Sequence, residues 1–563
     1  MALGLDAFMC EYLRAKFDIK HPTDTQKFAL PHLLRETEDV EKEYLLQAQT
    51  GSGKTLAFLL PLLQRLMHLG QSQSELNRAD VSPLAMILAP TRELAKQIYT
   101  VLDKLLCVNY APSRWIVQCC LVGGDKRHSE KNRIRKGVTI LVSTPGRLLD
   151  HMQNTKALKI DAVRWLIIDE ADRFTELGFG HTTKQILDML DAQGAPSTSV
   201  ALPALPLHRQ TILCSATIEK GMQALGGRSF ENLHLLVADG DIKHEAPAQL
   251  DQRFLCIPIK LRLVALMAAL QAAVIAAHGH AKILIFFATC DVTDFYHALF
   301  EALQSSRLAD LPEMTKLHGE LDQSTRTQNY ATFNQAASAI LFATSVAARG
   351  LDTPDLTHII QYDIPPDVNE YLHRIGRTAR AGKQGQSLLF LNHEERDFLR
   401  FVSDSKSHME ELTLDTLACS AGWGSQKQQW MEQATSLQMT SENLLLKTPT
   451  VCPSSPDGPK HARMRKLKAC YVSFQILKAA RKAFVSFLRA YSVFPQQWKT
   501  VLHPSKLHLG HLAKAFALRE SPKEITQGVN QSLSDHHTKD DQHKKARSDA
   551  KKLKRKMKMP HKQ

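Results

Sequence analysis

The chain has 563 residues, of which 44% are apolar and 23% charged, and it contains 26 Gly and 24 Pro. This composition excludes collagen-like, disulfide-scaffold and fully disordered proteins, and the length predicts two to four ordinary domains with hydrophobic cores. The net charge of +14 makes a polyanionic partner the natural expectation. More than half of this excess lies in the segment 539–563, which holds eleven Lys and Arg against three Asp.

The ten cysteines are scattered without a Cys-x-x-Cys pair, so their spacing predicts neither a metal site nor a disulfide framework. The N-terminal residues lack the basic segment and apolar core of a signal peptide. The most apolar stretch, Val264–Ala277, contains Gln271 and is too short to span a bilayer. We therefore expect a soluble intracellular protein with free thiols and no membrane contact.

Short apolar, β-branched runs alternate with helical patterns, which predicts an α/β protein with parallel sheets. Eight runs are predicted as strands: Tyr44–Leu46, Leu84–Leu88, Val138–Val142, Trp165–Ile168, Thr211–Cys214, Ile283–Phe287, Ile340–Phe342 and His358–Gln361. The polar, Pro-containing segment Asp239–Ala248 is typical of an interdomain linker. A second irregular stretch, Ala192–Leu207, is predicted as a surface loop. After about Arg400 the strand pattern stops.

These patterns predict five segments in chain order. They are an N-terminal α/β domain over 1–238, a linker over 239–250, a second α/β domain over 251–400, a helical C-terminal extension over 401–520 and a basic disordered tail over 521–563. Within the extension, the Ser, Pro and Gly content of Ser441–His461 predicts a flexible insertion.

The strongest chemical signal is a Gly-rich loop between the strand Tyr44–Leu46 and a helical pattern. The loop consists of Ala48, Gln49, Thr50, Gly51, Ser52, Gly53, Lys54 and Thr55. A strand, a Gly-rich loop and a helix N-terminus form a phosphate cradle, because backbone N–H groups and the helix dipole favour an anion. Lys54 is predicted to meet the β- and γ-phosphates and Thr55 to hold Mg²⁺. An ordinary Gly-Ser turn is the alternative interpretation.

The second signal is the pair Asp169 and Glu170, directly after the strand Trp165–Ile168. Ligands of open α/β sheets bind beyond the carboxyl ends of the strands. At that position Asp169 can bind Mg²⁺ and Glu170 can polarise water. Taken alone, the pair is also typical of an acidic helix start, and the phosphate loop favours the functional interpretation.

The third signal is the run Arg374, Arg377 and Arg380, whose spacing of three places the guanidinium groups on one helical face or a tight arc. Planar, permanently charged guanidinium groups suit a phosphoryl transition state, and a solvated basic helix is the alternative. Lys54 and Arg380 belong to different predicted domains. Hydrolysis would then require the two domains to close.

The remaining motifs share a placement, because each follows a predicted strand. They are Pro90-Thr-Arg-Glu-Leu94, Thr144-Pro-Gly-Arg147, Ser215-Ala-Thr217, Ala288-Thr289 and Thr344-Ser-Val-Ala-Ala-Arg-Gly-Leu-Asp352. Small hydroxyl residues, glycines and arginines at strand ends can contact phosphates and sugars without selecting bases. Each motif alone is a weak signal, and the ordered series is the specific one.

With this series complete, residues 1–395 resemble the DEAD-box ATP-dependent RNA helicases of superfamily 2. The resemblance implies two tandem RecA-like parallel-sheet domains, RNA-stimulated ATP hydrolysis and local opening of RNA duplexes. It assigns Phe17 and Gln26 to adenine, Gly350 and Asp352 to the nucleotide, and Arg377 and Arg380 to the γ-phosphate. It assigns the coupling of hydrolysis to RNA to Ser215, Thr217 and His373, and RNA-backbone contacts to Thr91, Arg92, Gly124, Thr144, Arg147 and Thr344.

A narrower resemblance involves the blocks Ala483–Tyr491 and Leu507–Glu520, which are similar to the extension of nucleolar DEAD-box proteins that assemble ribosomal subunits, particularly the large one. It implies a pre-rRNA substrate, pre-ribosomal assembly proteins as partners, a monomer, and a nuclear and nucleolar location. The aromatic residues of the first block are interpreted as a packing face. The Lys-rich tail fits nuclear import, RNA tethering or a merely solvated terminus.

Two departures from the family pattern stand out. Position 345 is Ser where the family usually carries Asp, which predicts weaker unwinding because a charge at the closed interface is lost. An upstream aromatic residue expected in the nucleotide-recognition segment falls near Met1, which indicates a shortened or incomplete N-terminus. Two alternatives remain open: an ATP-gated RNA clamp with little turnover, and a DNA-directed motor, which an RNA-over-DNA preference would exclude.

Overall fold

The structure is a computed structural model. It describes residues 3–35, 43–48, 52–72, 83–106, 113–193, 202, 205–215, 233–237, 249–305, 311–348, 353, 356–379, 383–403, 409–446, 460–527 and 529. The chain divides into two compact units. The first comprises Met1–Pro247 and the short segment Val346–Pro354, and the second comprises Ala248–Ser345 and Asp355–Gln563.

The first unit is built on a seven-stranded parallel sheet with the order β3-β4-β2-β5-β6-β1-β7. Its strands are β1 (Glu43–Gln47), β2 (Ala85–Leu88), β3 (Gln118–Leu121), β4 (Ile140–Ser143), β5 (Trp165–Ile168), β6 (Gln210–Ser215) and β7 (Leu233–Val237). Its helices are α1 (Ala7–Phe17), α2 (Asp24–Leu34), α3 (Lys54–Ser72), α4 (Arg92–Leu106), α5 (Arg127–Arg135), α6 (Pro145–Asn154), α7 (Ala171–Glu176) and α8 (Gly180–Asp191).

Burial explains why these segments form a covered parallel sheet. Every residue of β2, β4, β5 and β6 is buried, as expected for strands with helices on both faces. In α4 the buried residues Leu94, Ile98, Leu102 and Leu105 recur every three or four positions, so one stripe of the helix faces the sheet.

The second unit repeats this architecture with the order β10-β11-β9-β12-β13-β8-β14. Its strands are β8 (Leu250–Cys256), β9 (Lys282–Phe287), β10 (Glu313–Leu317), β11 (Ala339–Thr344), β12 (His358–Gln361), β13 (Gly385–Leu391) and β14 (Glu410–Leu412). The helices along this sheet are α9 (Arg262–Ala276), α10 (Cys290–Ser305), α11 (Gln323–Gln335), α13 (Val368–Ile375) and α14 (Phe398–Ser403), with 3₁₀ turns at Ile259–Leu261 and His393–Glu395. The short helix α12 (Ser345–Ala348) directly follows β11, and all of it except Ser345 belongs to the segment grouped with the first unit.

The C-terminal extension is helical and packs on the second unit. Its elements are α15 (Leu414–Ser420), α16 (Lys427–Leu446), α17 (Lys460–Tyr491) and α18 (Leu509–Ala515), with 3₁₀ turns at Gln496–Trp498 and Pro504–Lys506. Phe516 packs against Phe295 and Tyr296 of α10, and the Trp498 ring stacks on Phe401. In the block Ala483–Tyr491, Phe484, Phe487 and Tyr491 are buried, and the rings of Phe484 and Phe487 contact Phe516, so this block forms a packing face, as the sequence predicts.

The predicted fold class is confirmed, and all eight predicted strands are present. Six strands of the described residues were not predicted: β3, β7, β8, β10, β13 and β14. Four of the six lie at sheet edges, where one face or flank stays polar and the apolar pattern is weak. The strand β14 also corrects the expectation that strands end near Arg400.

Two further expectations meet the structure only in part. Helix α16 runs through Ser441 to Leu446, and Ser441 is fully buried, so the start of the predicted flexible insertion is helical. Residues 447–459 of that insertion, the predicted linker up to residue 248 and the tail beyond residue 529 lie outside the described residues.

One stretch of the described chain, Ile259–Ala276, is long and apolar enough to cross a membrane by length and composition alone, with a mean hydropathy of 1.9. This corrects the expectation that the stretch is too short. In the structure 61% of it is buried, and most of α9 lies in the hydrophobic core of the second unit.

Candidate nucleotide and RNA site

Three neighbouring strands of the first sheet, β5, β6 and β1, bring three predicted motifs to one edge. The register pairs Gln47 with Ser215, and the backbone N–H of Ala48 donates to the Ser215 carbonyl over 3.0 Å. The phosphate loop after β1 therefore starts beside Ser215, which is fully buried. Asp169 and Glu170 follow β5, the other neighbour of β6.

The described part of the phosphate loop has the geometry of a phosphate cradle. Gly53 has φ +87°, and a Cβ there would lie 2.6 Å from Nε2 of Gln26, so both conformation and space require glycine. Lys54 begins the 19-residue helix α3 and is buried, with Nζ donating to the Ala48 carbonyl over 2.8 Å. An ammonium group has three donors, which suits it to bridge the loop and a phosphate.

The nucleotide-recognition segment is tied directly to this loop. Thr23 and Gln26 form a capping box at the start of α2. The Thr23 hydroxyl also donates to the Ser52 carbonyl over 2.7 Å, and Nε2 of Gln26 donates to the Gly53 carbonyl over 3.2 Å. Phe17, at the end of α1, packs half-buried against the core. The Gln26 side chain is thus held at the loop itself.

Asp169 and Glu170 are both buried at the end of β5. Burial raises the pKa of Asp169 to about 6, although the nearby Lys54 ammonium opposes this rise. Glu170 has the left-handed backbone φ of 52°, and its N–H donates to Oδ1 of Asp169 over 3.0 Å. A non-glycine residue in this conformation stores strain of about 1–3 kcal/mol, which is common at functional sites.

These residues fit a magnesium ion bound together with a nucleotide. No group of three or more His, Cys, Asp or Glu within the described ranges could hold a metal ion by itself. Mg²⁺ takes one or two carboxylates together with substrate phosphates and waters, which matches the buried carboxyl groups of Asp169 and Glu170 at the end of β5. Ser52 Oγ is buried with no hydrogen-bond partner in the part of the chain that the structure describes. It is therefore available to a ligand.

Three further strands of the first sheet, β2, β4 and β3, are each followed by predicted RNA contacts. Thr91 caps α4, with the Leu94 N–H donating to its hydroxyl over 3.2 Å, and Thr144 precedes α6. Gly124 has φ +95° and follows β3. A Cβ on the adjacent Gly123 would lie 2.9 Å from the Arg92 guanidinium, so Arg92 and this glycine turn are in contact.

Arg147 lies at the same edge but is already engaged by its own unit. Its guanidinium donates to the Asp125 carbonyl over 2.6 Å, and its Nε lies 3.1 Å from Oε2 of the buried Glu130. The same Glu130 oxygen bonds Nε2 of His151 over 3.0 Å. This buried cluster orients Arg147 and was not predicted from the sequence. Glu130 lies in α5, whereas Arg147 and His151 lie in α6, and β4 separates the two helices along the chain.

In the second unit, Arg374 organises the predicted motifs. The guanidinium donates to the Ser345 hydroxyl from Nε and Nη2, over 3.0 and 2.7 Å, and to the Asp363 carbonyl from Nη1 over 2.7 Å. Its Nε lies 3.5 Å from the Glu370 carboxylate. The Ser345 hydroxyl is therefore a hydrogen-bond acceptor for Arg374. The preceding residue, Thr344, is buried at the end of β11.

The other predicted residues of the second unit are placed as follows. His373 and Arg377 are buried at the end of α13 and just after it. The predicted residues Gln49, Thr50, Gly51, Thr217, Gly350, Asp352 and Arg380 lie outside the described residues.

Comparisons with known proteins agree with this geometry. Residues 23–225 match the DEAD/DEAH box helicase family and residues 265–382 the helicase conserved C-terminal domain. Residues 473–524 match the C-terminal extension described as ATP-dependent rRNA helicase SPB4-like.

The ATP-dependent RNA helicase dbp7 of Schizosaccharomyces pombe is 37% identical over 94% of this chain and 74% of that protein. The chain belongs to the DEAD-box family of ATP-dependent RNA helicases. The dbp7 proteins of Aspergillus terreus and Sclerotinia sclerotiorum are each 36% identical, over 98% and 93% of this chain. The helicase spans 76% and 62% of these two relatives.

Solved structures show the same fold. The chain resembles Mss116p bound to ssRNA and AMP-PNP with a TM-score of 0.64 at 24% identity, over 90% of this helicase and 94% of that chain. For S. cerevisiae Dbp5 bound to RNA and ADP BeF3 the TM-score is 0.57 at 23% identity, over 78% and 98%. The predicted family and its two RecA-like sheets are confirmed, and the helicase binds ATP and RNA as a family member.

One buried pair of charged side chains escaped the sequence analysis. Asp363, two residues after β12, accepts from Nη2 of Arg262 over 3.3 Å and from the Ala288 N–H over 2.8 Å. The strand-end rule that identified Asp169 could have indicated Asp363. Its partner Arg262 is 101 residues away along the chain, and nothing local indicates the pair.

Proposed function

We propose that this helicase remodels pre-ribosomal RNA, and that Lys54, Asp169 and Glu170 carry its ATP hydrolysis. The observation that carries the assignment is the convergence of three motifs at the ends of β1, β5 and β6. The Ala48 N–H bonds the Ser215 carbonyl, and Lys54 acts electrostatically on Asp169. Phosphate, metal and water chemistry can therefore take place at one edge of one sheet.

In this proposal each residue at the nucleotide edge has a distinct role. Lys54 and the N–H groups at the start of α3 bind the phosphates. Asp169 and Thr55 would hold Mg²⁺, partly through water, and the ion would supply charge neutralisation for the phosphates. Glu170 orients and polarises the attacking water. Gln26 reads the adenine edge, and Phe17 stacks on the base.

Seven residues outside the described ranges complete this set by resemblance. Gln49, Thr50 and Gly51 would line the phosphates, Gly350 and Asp352 would contact the nucleotide, and Thr217 would couple hydrolysis to RNA together with Ser215 and His373. Arg380, with Arg377, would meet the γ-phosphate and stabilise its developing charge.

The predicted RNA contacts of each unit favour backbone recognition. In the first unit Thr91 and Thr144 offer hydroxyl or helix N-terminal N–H groups, and Arg92 lies beside the glycine turn that contains Gly124. In the second unit Thr344 offers a hydroxyl at the end of β11. Such groups bind phosphates and sugars and carry no base selectivity. Target choice would then reside in the C-terminal extension or in partner proteins.

The substrate class is proposed from the extension, since its match is described as an rRNA helicase. From this we infer a nucleolar protein that acts among pre-ribosomal assembly proteins as a monomer, without membrane contact. The functional organisation would be a nucleotide-binding domain over 1–238, a second helicase domain over 251–400, and an extension over 401–520 followed by a basic tail.

The test is steady-state ATP hydrolysis with and without single-stranded RNA, using Glu170→Gln and Lys54→Met. Each variant should lose at least about a hundredfold in turnover, since each removes a group from the transition state. Asp161→Asn is the matched control, because it makes the same carboxylate-to-amide change at an exposed position of the first unit. Near-normal RNA-stimulated ATP hydrolysis in Glu170→Gln would contradict the assignment of Glu170 to this reaction.

The substrate proposal has its own experiment. Ultraviolet crosslinking of the tagged helicase in cells should recover mainly precursor rRNA, and more of it with Glu170→Gln if the variant retains RNA. Recovery dominated by messenger RNA would contradict the ribosomal assignment while leaving the ATPase assignment intact.

An ATP-gated clamp with little turnover is not favoured. Its supporting observation was Ser345, but the structure shows the Ser345 hydroxyl bonded twice by Arg374, so the position still joins β11 to α13. ATP-dependent retention of RNA without ATP turnover would favour the clamp instead. The variant Ser345→Asp, which restores the usual family residue, would then be the first to test for recovered turnover.

A further inference from the structure

Two short segments hold nearly all the excess positive charge of the chain. The segment 126–136 carries six Lys and Arg against one Glu, and the tail 539–563 carries eleven against three, so together they hold 13 of the 14 net charges. The tail lies outside the described residues. The segment 126–136 consists of α5 and the residue on either side of it, so the described chain concentrates its positive charge on this helix.

One narrow row of α5 faces the protein interior. Glu130 and Ile134, one turn apart, are the buried residues of this helix. Glu130 is the single acid of the segment, and its Oε2 lies 3.1 Å from Nε of Arg147 and 3.0 Å from Nε2 of His151. The solvent face of α5 therefore presents cations without an acidic residue of its own, whereas protein surfaces ordinarily mix both signs.

Neighbouring elements neutralise little of this charge. The cations of the segment are Lys126, Arg127, Lys131, Arg133, Arg135 and Lys136, all exposed except the partly buried Lys131. Arg127 pairs with Asp150 over 2.6 Å. Lys131 donates to the Asn154 carbonyl and Arg135 to Oδ1 of Asn132, each over 3.5 Å, and both acceptors are uncharged.

The stability of the helix does not explain this charge pattern. The dipole of α5 favours Arg133 and Arg135 in its last turn, but it disfavours Lys126 and Arg127 at its N-terminus. Arg127, Lys131 and Arg135 follow one another at intervals of four residues, so like charges adjoin along one side of the helix and repel. A bound polyanion would relieve this repulsion.

Helix α5 begins at the glycine turn that is assigned to RNA. Its N-cap Lys126 directly follows Asp125, whose carbonyl accepts from Nη2 of Arg147 over 2.6 Å, and Gly124 is the residue before. Because β3 and β4 are parallel neighbours, α5 runs back from the carboxyl edge of the sheet over nine residues, about 14 Å. An RNA backbone that leaves the glycine turn can therefore continue along α5.

We propose that the exposed face of α5 is an auxiliary RNA-binding surface, which holds the phosphates of a single-stranded segment continuing from the glycine turn. The inference rests on the proposed RNA contacts of Gly124 and Arg147 and adds contacts beyond them. Lys and Arg neutralise phosphates whatever the base, so this surface lengthens the RNA tract that is held and adds no sequence selectivity. RNA is favoured over an acidic protein because the helix adjoins a turn assigned to RNA.

The experiment compares the full-length chain with its triple variant Lys126→Gln, Lys131→Gln and Arg135→Gln. Fluorescence anisotropy with AMP-PNP present measures the affinity for oligouridines of about 8 and about 24 nucleotides, between about 50 and 200 mM salt. The affinity of the variant for the long strand should fall by about tenfold or more, and that for the short strand by less than about twofold. The slope of log affinity against log salt for the long strand should decrease by about 1–2, since each phosphate contact contributes about 0.7.

A second triple variant is the matched control. Arg14→Gln, Lys16→Gln and Lys184→Gln also remove one Arg and two Lys, all exposed, but from α1 and α8 of the same unit. This control should bind both strands as the native chain does. Thermal unfolding checks the fold, and the α5 variant should be no less stable than the native chain because like-charge repulsion is removed.

Three results would overturn the proposal. Unchanged affinity of the α5 variant for the long strand would show that the helix is merely solvated, and an equal loss in the control would show that net charge alone governs binding. Unchanged RNA affinity together with loss of the variant from pre-ribosomal particles in cells would assign the surface to an acidic protein. Failure of the proposed hydrolysis is measured separately with Glu170→Gln, which leaves α5 intact.

Discussion

The two sheets of this helicase have the same strand order, but equivalent positions hold different chemistry. In the first unit, Lys54 opens the helix after β1 and faces Asp169, which follows β5. In the second unit, Arg262 opens the helix after β8 and pairs with Asp363, which follows β12. A cation and a carboxylate therefore occur at the same place in both halves.

The difference lies in what completes each pair. Arg262 binds Asp363 directly, both side chains are about 3% exposed, and the guanidinium stacks on the Tyr362 ring at 4.5 Å. Lys54 instead donates to the Ala48 carbonyl over 2.8 Å, although burial raises the pKa of both carboxyl groups, Asp169 and Asp363. One half closes the pair as a structural ion pair, and the other leaves both groups for a ligand. In the proposed mechanism, ATP hydrolysis takes place in the half whose cation and carboxylate are not paired directly with each other.

The largest expected effect is on the closed pair. Arg262→Met should destabilise the second unit by about 3–5 kcal/mol, because it leaves Asp363 buried without its cation. Calorimetric unfolding measures the loss. The double variant Arg262→Met with Asp363→Asn should recover much of it, whereas no recovery would show that packing of Arg262, rather than the stranded charge, carries the stability.

The opposite result is expected at the open pair. Asp169→Asn should stabilise the nucleotide-free protein by about 1–3 kcal/mol at pH 7.5 while abolishing hydrolysis. The folded-state pKa of Asp169, about 6, exceeds the ordinary 3.8, so keeping the ionised carboxylate buried lowers the free energy of unfolding of the native protein. This cost is full above pH 6 and disappears as the pH falls toward 4. Thermal unfolding at both pH values checks this. A destabilised variant at pH 7.5 would contradict the open-pair interpretation.

An effect of similar size is expected where the extension joins the second sheet. The Tyr491 hydroxyl donates to Oε1 of Glu395 over 2.9 Å, and Glu395 is fully buried. Tyr491→Phe should cost about 1–3 kcal/mol because it leaves a buried carboxyl group with one bond fewer. Hydrogen exchange of α17 and α18 measures the loosening. Tyr12→Phe, which removes an exposed hydroxyl bond in the first unit, should change little.

The smallest effect is the pH-dependent part of the His318–Asp294 pair, about 0.5–1 kcal/mol since Asp294 is partly exposed. The pKa of His318 is raised, so its contribution is full below pH 6.5 and is lost as the pH rises through about 9. The stability difference between the native chain and His318→Gln should shrink across that interval. A pH-independent difference would mean that the ring contributes by packing alone.

Local chemistry was predictable from the sequence because it depends on adjacent residues. The phosphate loop needs Gly53 next to Lys54, and Asp169 needs only the apolar strand before it. The eight predicted strands were found because each contains a short apolar run. The edge strands β7, β10 and β14 were missed because part of each is exposed to solvent, and the interior strands β8 and β13 were missed because the first half of each is mostly polar. The helical start of the predicted insertion at Ser441 was also missed, because its burial depends on distant partners.

The sequence by itself determined the family, the α/β class and the identity of the nucleotide motifs. Only the tertiary structure decided which motifs share an edge, since strand order cannot be read from chain order. It also decided that Arg147 pairs with Glu130 and that Arg374 donates to the Ser345 hydroxyl. His318 likewise bonds Asp294, which is 24 residues away along the chain. The reason is physical: a buried charge is stabilised by whatever partner the fold brings within a few ångströms, and that partner leaves no mark on the neighbouring sequence.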